Sequence, residues 1–169
     1  MAEDLRCNIV QGEYKVSGEA NVVITTLLGS CVAACLHDPI AGVGGMNHFL
    51  LPGQIGPQSE RVGTHLMELL VNGLLKIGAA RGRLQGKLFG GAKSFAGLSD
   101  IGAANGRFAQ DFLKREGIPV TAVSLGGDKG RRIQYWPASG RVRQLFMASS
   151  FEEKPALVRL PQGGELELF

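Results

Sequence analysis

The chain is poor in the residues that mark several common functions. One Trp and two Tyr occur in 169 residues, too few for the interleaved aromatic platforms on which single-stranded nucleic acid stacks. Charge has no dominant sign: 18 Lys and Arg stand against 15 Asp and Glu, a net +3. The basic residues are scattered, apart from Arg131-Arg132 and the Arg141/Arg143 pair, so nucleic acid is not an expected partner. No stretch of about 18 apolar residues is present, so no membrane insertion is expected. The opening Met1-Ala2-Glu3-Asp4-Leu5-Arg6 is acidic and has no apolar core of a signal peptide, so the expected location is the cytoplasm. Three cysteines, Cys7, Cys31 and Cys35, are too few and of the wrong parity for a disulfide framework, and in a reducing compartment they are expected as thiols.

What is present is an ordinary globular balance, 44% hydrophobic and 20% charged, enough for one domain with a sizeable core. There is no internal repeat and no low-complexity linker. The expected organisation is a single domain over 1–148 followed by a tail over 149–169, whose Pro155, Pro161 and Gly163-Gly164 break periodicity and mark it as a flexible segment or an arm. Glycine is the outlier, with 25 residues and close pairs at Gly44-Gly45, Gly90-Gly91 and Gly126-Gly127. Such pairs suit tight turns or backbone lining a narrow cleft.

Asn21 to Leu28 is β-branched and apolar and reads as a strand. Cys31 to His37 and Gly44 to Leu51 read as a hairpin turning near Asp38-Pro39. Glu60 to Ala80 and Asn105 to Glu116 carry helical spacing. The first has Val62, Leu66, Leu69, Leu70, Leu74 and Ile77, the second Phe108, Phe112 and Leu113. Arg83 to Phe89, Pro119 to Leu125 and a hairpin over 132–147 complete about eight strands. The class is α/β, a mixed sheet covered by helices.

Cys31 ends the run Thr25-Thr26-Leu27-Leu28-Gly29-Ser30-Cys31, and His48 lies in Gly44-Gly45-Met46-Asn47-His48. A thiol and an imidazole are the minimum set for a cysteine nucleophile with its base. If His37 opposes Gly44 in the hairpin, opposed residue numbers sum to 81 and His48 faces Ala33. Ala33 shares a face with Cys31, so the two side chains become diagonal neighbours, whereas a slip of one residue would separate them. A free cysteine titrates near pH ~8.5 and holds little thiolate at neutrality. An imidazole that takes its proton corrects that, and later protonates the leaving group. A third group usually orients the ring, and Thr25 or Thr26 is placed to do so. Gly29 and Ser30 leave backbone N–H groups beside the sulfur as an oxyanion site, and Gly90 and Gly91 are further candidates for the cleft.

A bland reading competes. A cysteine in an apolar strand is more often a small buried hydrophobe, which suits Cys35 and Cys7. A metal site from Cys31, Cys35, His37 and His48 is disfavoured, because the first three would spread over about 20 Å along one strand face. No metal and no cofactor is expected. His65 has no partner in view, and Gly90-Gly91-Ala92-Lys93 lacks the spacing of a phosphate loop.

Several motifs together resemble one family. They are Thr25-x-x-Leu28-Gly29-Ser30-Cys31-Val32-Ala33, Asp38-Pro39, Gly44-Gly45-Met46-x-His48-Phe49-x-Leu51-Pro52, Lys87-Leu88-Phe89-Gly90-Gly91-Ala92, Ile101-Gly102-x-x-Asn105, Gly117-Ile118-Pro119, Leu125-Gly126-Gly127 and Gly130-Arg131. Their order and spacing resemble CheD, the chemoreceptor glutamine deamidases of bacterial and archaeal chemotaxis, over about residues 8 to 147. The resemblance implies a three-layer α/β/α sandwich like the catalytic fold of deamidating toxins related to cytotoxic necrotizing factor. It implies hydrolysis of receptor glutamines to glutamate with release of ammonia, with Cys31 as nucleophile, His48 as base and Thr25 orienting the imidazole. It also implies chemoreceptor helices as substrate and the phosphatase CheC as a possible partner. Ala104, Ser124 and Ser139 depart from the family pattern, and none is one of those three residues. A binding module for CheC or receptors, and hydrolysis of receptor methyl esters by the same thiol, are the competing functions.

Overall fold

The computed structural model describes residues 3–93, 100–147 and 166–169. In chain order the strands and helices are β1 (Leu5–Asn8), β2 (Tyr14–Ser17), β3 (Val22–Leu28), β4 (Val32–Asp38), β5 (Val43–Asn47), α1 (Pro57–Lys76), β6 (Gln85–Gly90), α2 (Ile101–Arg115), β7 (Val120–Leu125), β8 (Arg131–Trp136), β9 (Arg141–Phe146) and β10 (Leu166–Leu168). The strands form two five-stranded sheets, ordered β1-β3-β8-β9-β10 and β2-β5-β4-β6-β7. Each is mixed: β1 runs parallel to β3 and β6 parallel to β7, and the other pairings are antiparallel.

The layer order differs from the expected α/β/α sandwich. Both helices pack on the second sheet and the first sheet covers its other face, giving helix, sheet, sheet. Strand β4 shows why. Val32, Ala34 and Leu36 join Met67, Leu70, Phe108 and Phe112 in the core under the helices. The alternate residues Cys31, Ala33 and Cys35 join Ile24, Ile133, Tyr135 and Val142 between the sheets. A strand buried on both faces reads as one apolar run, and that run does not say whether a helix or a sheet lies on either side. Tyr135 ties the layers together, its hydroxyl donating to the carbonyl of Leu36 at 2.7 Å.

The β4–β5 register is the one the hairpin argument requires. His37 opposes Gly44, Leu36 opposes Gly45 and Cys35 opposes Met46, and the bridge between Val32 and Phe49 continues it.

Helix α1 starts earlier than its apolar spacing suggests, because Pro57 fits the first turn and the Ser59 hydroxyl accepts the Gly56 N–H and donates to the Gly56 carbonyl, each at 2.9 Å. Its buried stripe is Gly63, Met67, Leu70, Val71 and Leu74, while Val62 and Ile77 face solvent. Helix α2 also starts before Asn105, where Asp100 accepts the N–H of Ala103 at 2.9 Å. The short polar strands β1 and β2 carry no apolar pattern to mark them in the sequence. Of the expected tail, 149–165 lies outside the described residues, while β10 and Phe169 pair with β9. The Phe169 and Val142 backbones exchange hydrogen bonds of 2.8 and 2.9 Å, and the Phe169 ring meets Phe89 edge-on.

Candidate active site

Cys31 stands at the bend between β3 and β4 and is wholly buried. The bend is fixed through its carbonyls. The Ala92 N–H donates to Gly29 O at 2.9 Å, Asn105 Nδ2 to Ser30 O at 2.9 Å, and the Gly91 N–H to Cys31 O at 2.8 Å. Asn105 also accepts the Leu51 N–H at 3.0 Å, so one fully buried amide on α2 joins the cysteine bend to the segment after His48. In the sequence Asn105 stands out only within a family motif, since nothing local in a helix marks it as a brace between two loops.

Gly90 and Gly91 press on the same bend from behind. Both have positive φ, +108° and +64°, and a Cβ on Gly90 would run into the Cys31 carbonyl. The Gly91 N–H is engaged by the Cys31 carbonyl, so Gly91 braces the bend. Gly44 and Gly45 do not form a cleft mouth. They lie mid-strand in β5, where a Cβ would strike Tyr135 or the Leu70 side chain, so their smallness serves layer packing.

His48 follows β5 and is also buried. The register puts it opposite Ala33, on the intersheet side that Cys31 shares. Its Nδ1 lies 2.7 Å from Thr26 Oγ1. Thr26, at 1% exposure, donates its single hydroxyl hydrogen to Ile9 O at 2.7 Å. The Thr26 oxygen is therefore left to accept, and Nδ1 must carry the ring proton. The neutral ring then has its lone pair on Nε2, the arrangement a general base needs.

The threonine hydroxyl in contact with the imidazole is thus that of Thr26 rather than Thr25. Side chains alternate along β3. Ile24, Thr26 and Leu28 point between the sheets, whereas Thr25 points away and donates to Asn8 Oδ1 at 3.2 Å.

A turn at Val10–Glu13 closes over the same place. The Gly12 N–H donates to His48 O at 2.8 Å and the His48 N–H to Glu13 O at 3.1 Å. The exposed Gln11 extends its side chain inward until Oε1 is 4.0 Å from Cys31 Sγ. Neither this turn nor Gln11 is marked in the sequence, because contacts across twenty residues leave no local trace.

The other candidate ligands are separate. Burial pushes the Cys35 thiol well above its ordinary range, against a smaller opposing pull from Lys87. His37 bonds Ala138 O through Nε2 at 3.1 Å. His65 is exposed on α1. Among the described residues no group of three His, Cys, Asp or Glu side chains is placed to hold a metal, and no helix is long and apolar enough to cross a membrane.

The sequence model described as CheD chemotactic sensory transduction matches residues 50–145. A probable chemoreceptor glutamine deamidase CheD of Agrobacterium fabrum is 53% identical over 174 residues, covering 97% of this chain and 96% of its own. The chain belongs to the CheD family. Proteins with the same name from Rhizobium rhizogenes and a Caulobacter species are each 52% identical, covering 97% and 98% of this chain and 96% and 93% of their own lengths. These CheD relatives span Cys31 and His48, which precede the residues matched by the family's sequence model. Among solved structures, the Bacillus licheniformis hypothetical protein YfiH aligns with a TM-score of 0.45 at 13% identity, over 72% of this chain and 60% of that one. A Neisseria meningitidis protein of the DUF152 family model aligns at 0.42 and 14%, over 68% and 51%.

Proposed function

We propose that this chain is a protein-glutamine deamidase. It hydrolyses selected glutamine side chains of chemoreceptors to glutamate and releases ammonia, with Cys31 as nucleophile, His48 as base and Thr26 orienting the imidazole. The observation that carries the mechanism is the Thr26–His48 contact at 2.7 Å. It sets the tautomer that takes a proton at Nε2, on the sheet face that Cys31 shares.

In the first step the Cys31 thiol passes its proton to His48 and the sulfur attacks the carboxamide carbon. The imidazolium protonates the departing nitrogen, and ammonia leaves. Water then adds to the thioester with His48 as base, and the carboxylate and thiol are restored. The developing oxyanion needs fixed donors. The Gly29 and Ser30 carbonyls are tied toward Ala92 and Asn105. In trans peptides the N–H groups of Ser30 and Cys31 therefore project to the opposite side, and these are the donors assigned to the oxyanion.

The substrate class rests on family membership and on relatives named as chemoreceptor glutamine deamidases that match nearly the whole chain. The proposal extends to action in the cytoplasm on receptor helices, to regulation through CheC, and to a fold relation with the toxin deamidases, taken with the helix–sheet–sheet layer order.

The test is mass spectrometry of a chemoreceptor cytoplasmic fragment incubated with the protein. Each converted glutamine gains about 1 Da as amide becomes acid, with one ammonia released. Cys31→Ala and His48→Ala are expected to be silent while their circular dichroism stays native. Full activity in Cys31→Ala overturns the mechanism. Receptor binding without mass change identifies a binding module, and loss of methanol from methylated fragments identifies an esterase.

A further inference from the structure

The glutamine closest to the reactive thiol is the chain's own. Val10–Glu13 form a tight turn in which the Glu13 N–H donates to Val10 O at 3.0 Å, and the Glu13 carboxylate accepts the Val10 N–H at 2.9 Å. Gly12, third in the turn, has φ +89°, the type II arrangement that calls for glycine there. Gln11 therefore occupies the second position of a turn closed on itself and hydrogen-bonded on two sides to the backbone of His48. From that mount its carboxamide oxygen stands 4.0 Å from Cys31 Sγ. The carboxamide carbon is one bond, about 1.2 Å, from that oxygen. Gln11 is exposed while Cys31 is fully buried, so the side chain runs inward from the surface to the sulfur, as a receptor glutamine would have to.

We propose that Gln11 is a substrate in cis, converted by Cys31 to glutamate at position 11. This rests on the deamidase reading above. The Cys31 thiol gives its proton to His48 and the sulfur bonds to the Gln11 carboxamide carbon. The carbon–nitrogen bond breaks, and the nitrogen takes the proton from His48 and leaves as ammonia. Water adds to the thioester, its proton passing to His48, and the carbon–sulfur bond breaks to give a carboxylate and the original thiol. The sum is carboxamide plus water to carboxylate plus ammonia, with no other reactant. A tethered amide faces the thiol at an effective concentration of about millimolar or more, above that of a dilute receptor. The new carboxylate is repelled by a thiolate, and its exposed mount lets it swing to water. The first turnover then clears the site for receptor glutamines.

The experiment is peptide mapping by mass spectrometry of the full chain, wild type and Cys31→Ala, after incubation at neutral pH. A receptor cytoplasmic fragment is added to a second portion of each. Glutamate at position 11 is expected in the wild type, and the amide is expected to persist in Cys31→Ala. Wild type that converts receptor glutamines while Gln11 stays an amide overturns this inference and leaves the deamidase reading intact. Conversion of neither overturns both. Equal conversion of Gln11 in wild type and Cys31→Ala also overturns it, because the change is then spontaneous.

Discussion

Thr26 Oγ1 stands 2.7 Å from His48 Nδ1 and gives its own hydrogen to Ile9 O at 2.7 Å. One hydroxyl thereby sets which imidazole nitrogen can accept a proton, which in the proposed mechanism comes from Cys31. Thr26→Val keeps the shape and removes the acceptor. The expected result is a fall in kcat of about 10- to 100-fold with KM little changed, as for loss of a group that orients a catalytic ring. Thr26→Ser retains the acceptor and is expected to restore most of the rate. Thr25→Val, on the opposite face, is expected to stay within a few-fold of wild type, measured by ammonia release from receptor fragments. A full rate in Thr26→Val would remove Thr26 from the mechanism.

Asn105 supports the site from α2. Asn105→Ala leaves Ser30 O and Leu51 N–H without their side-chain partner. Each buried orphan costs about 1–3 kcal/mol, so a fall in Tm of about 2–4 °C per kcal/mol is expected. The Ser30–Cys31 bend should loosen too, lowering kcat in whatever fraction remains folded. Asn105→Asp keeps the acceptor and loses the donor. It is expected to relax the cysteine bend more than the Leu51 segment, which backbone amide exchange at Cys31 and Leu51 can separate.

Gly90→Ala meets two penalties at once. Its φ of +108° disfavours any side chain, and the added carbon points at the Cys31 carbonyl. A strained position costs about 1–3 kcal/mol. The protein is expected either to lose that stability or to shift the bend and lose deamidation. Thermal unfolding and the rate of ammonia release, measured on the same preparation, distinguish the two. Unchanged values for both would refute the close approach.

Asp38 is expected to govern the acid limb of stability. Its buried carboxylate is held well below the usual range, chiefly by hydrogen bonding from Arg83. The N–H groups of Ala41, Ala80 and Ile40 add to this, against the opposing cost of burial. Because the folded group is more acidic than the unfolded one, at about 3.9, its contribution is complete above about pH 4 and is lost as pH falls further. Asp38→Asn is expected to lower Tm at pH 7 and to flatten the decline below pH 4. A decline as steep as that of wild type would mean that other carboxylates control it.

The sequence alone determined a good deal. Turn signals placed the β4–β5 hairpin, while its register entered only as the supposition that His37 opposes Gly44, because β4 is apolar on both faces and a one-residue slip would bury apolar residues as well. Composition bounded the class, and the order and spacing of the motifs pointed to the family. The layer order was illegible for a physical reason. An apolar run such as Val32 to Leu36 states that both faces are covered and is silent on what covers them. The tertiary structure chose Thr26 over Thr25, since two adjacent threonines differ only in the face they present. It also brought in Gln11 and Asn105, whose contacts with the cysteine bend span twenty and seventy-five positions. Periodicity reports the neighbours a residue has along the chain. The chemistry here depends on neighbours supplied by a second sheet, a helix end and a turn, and only folding sets those distances.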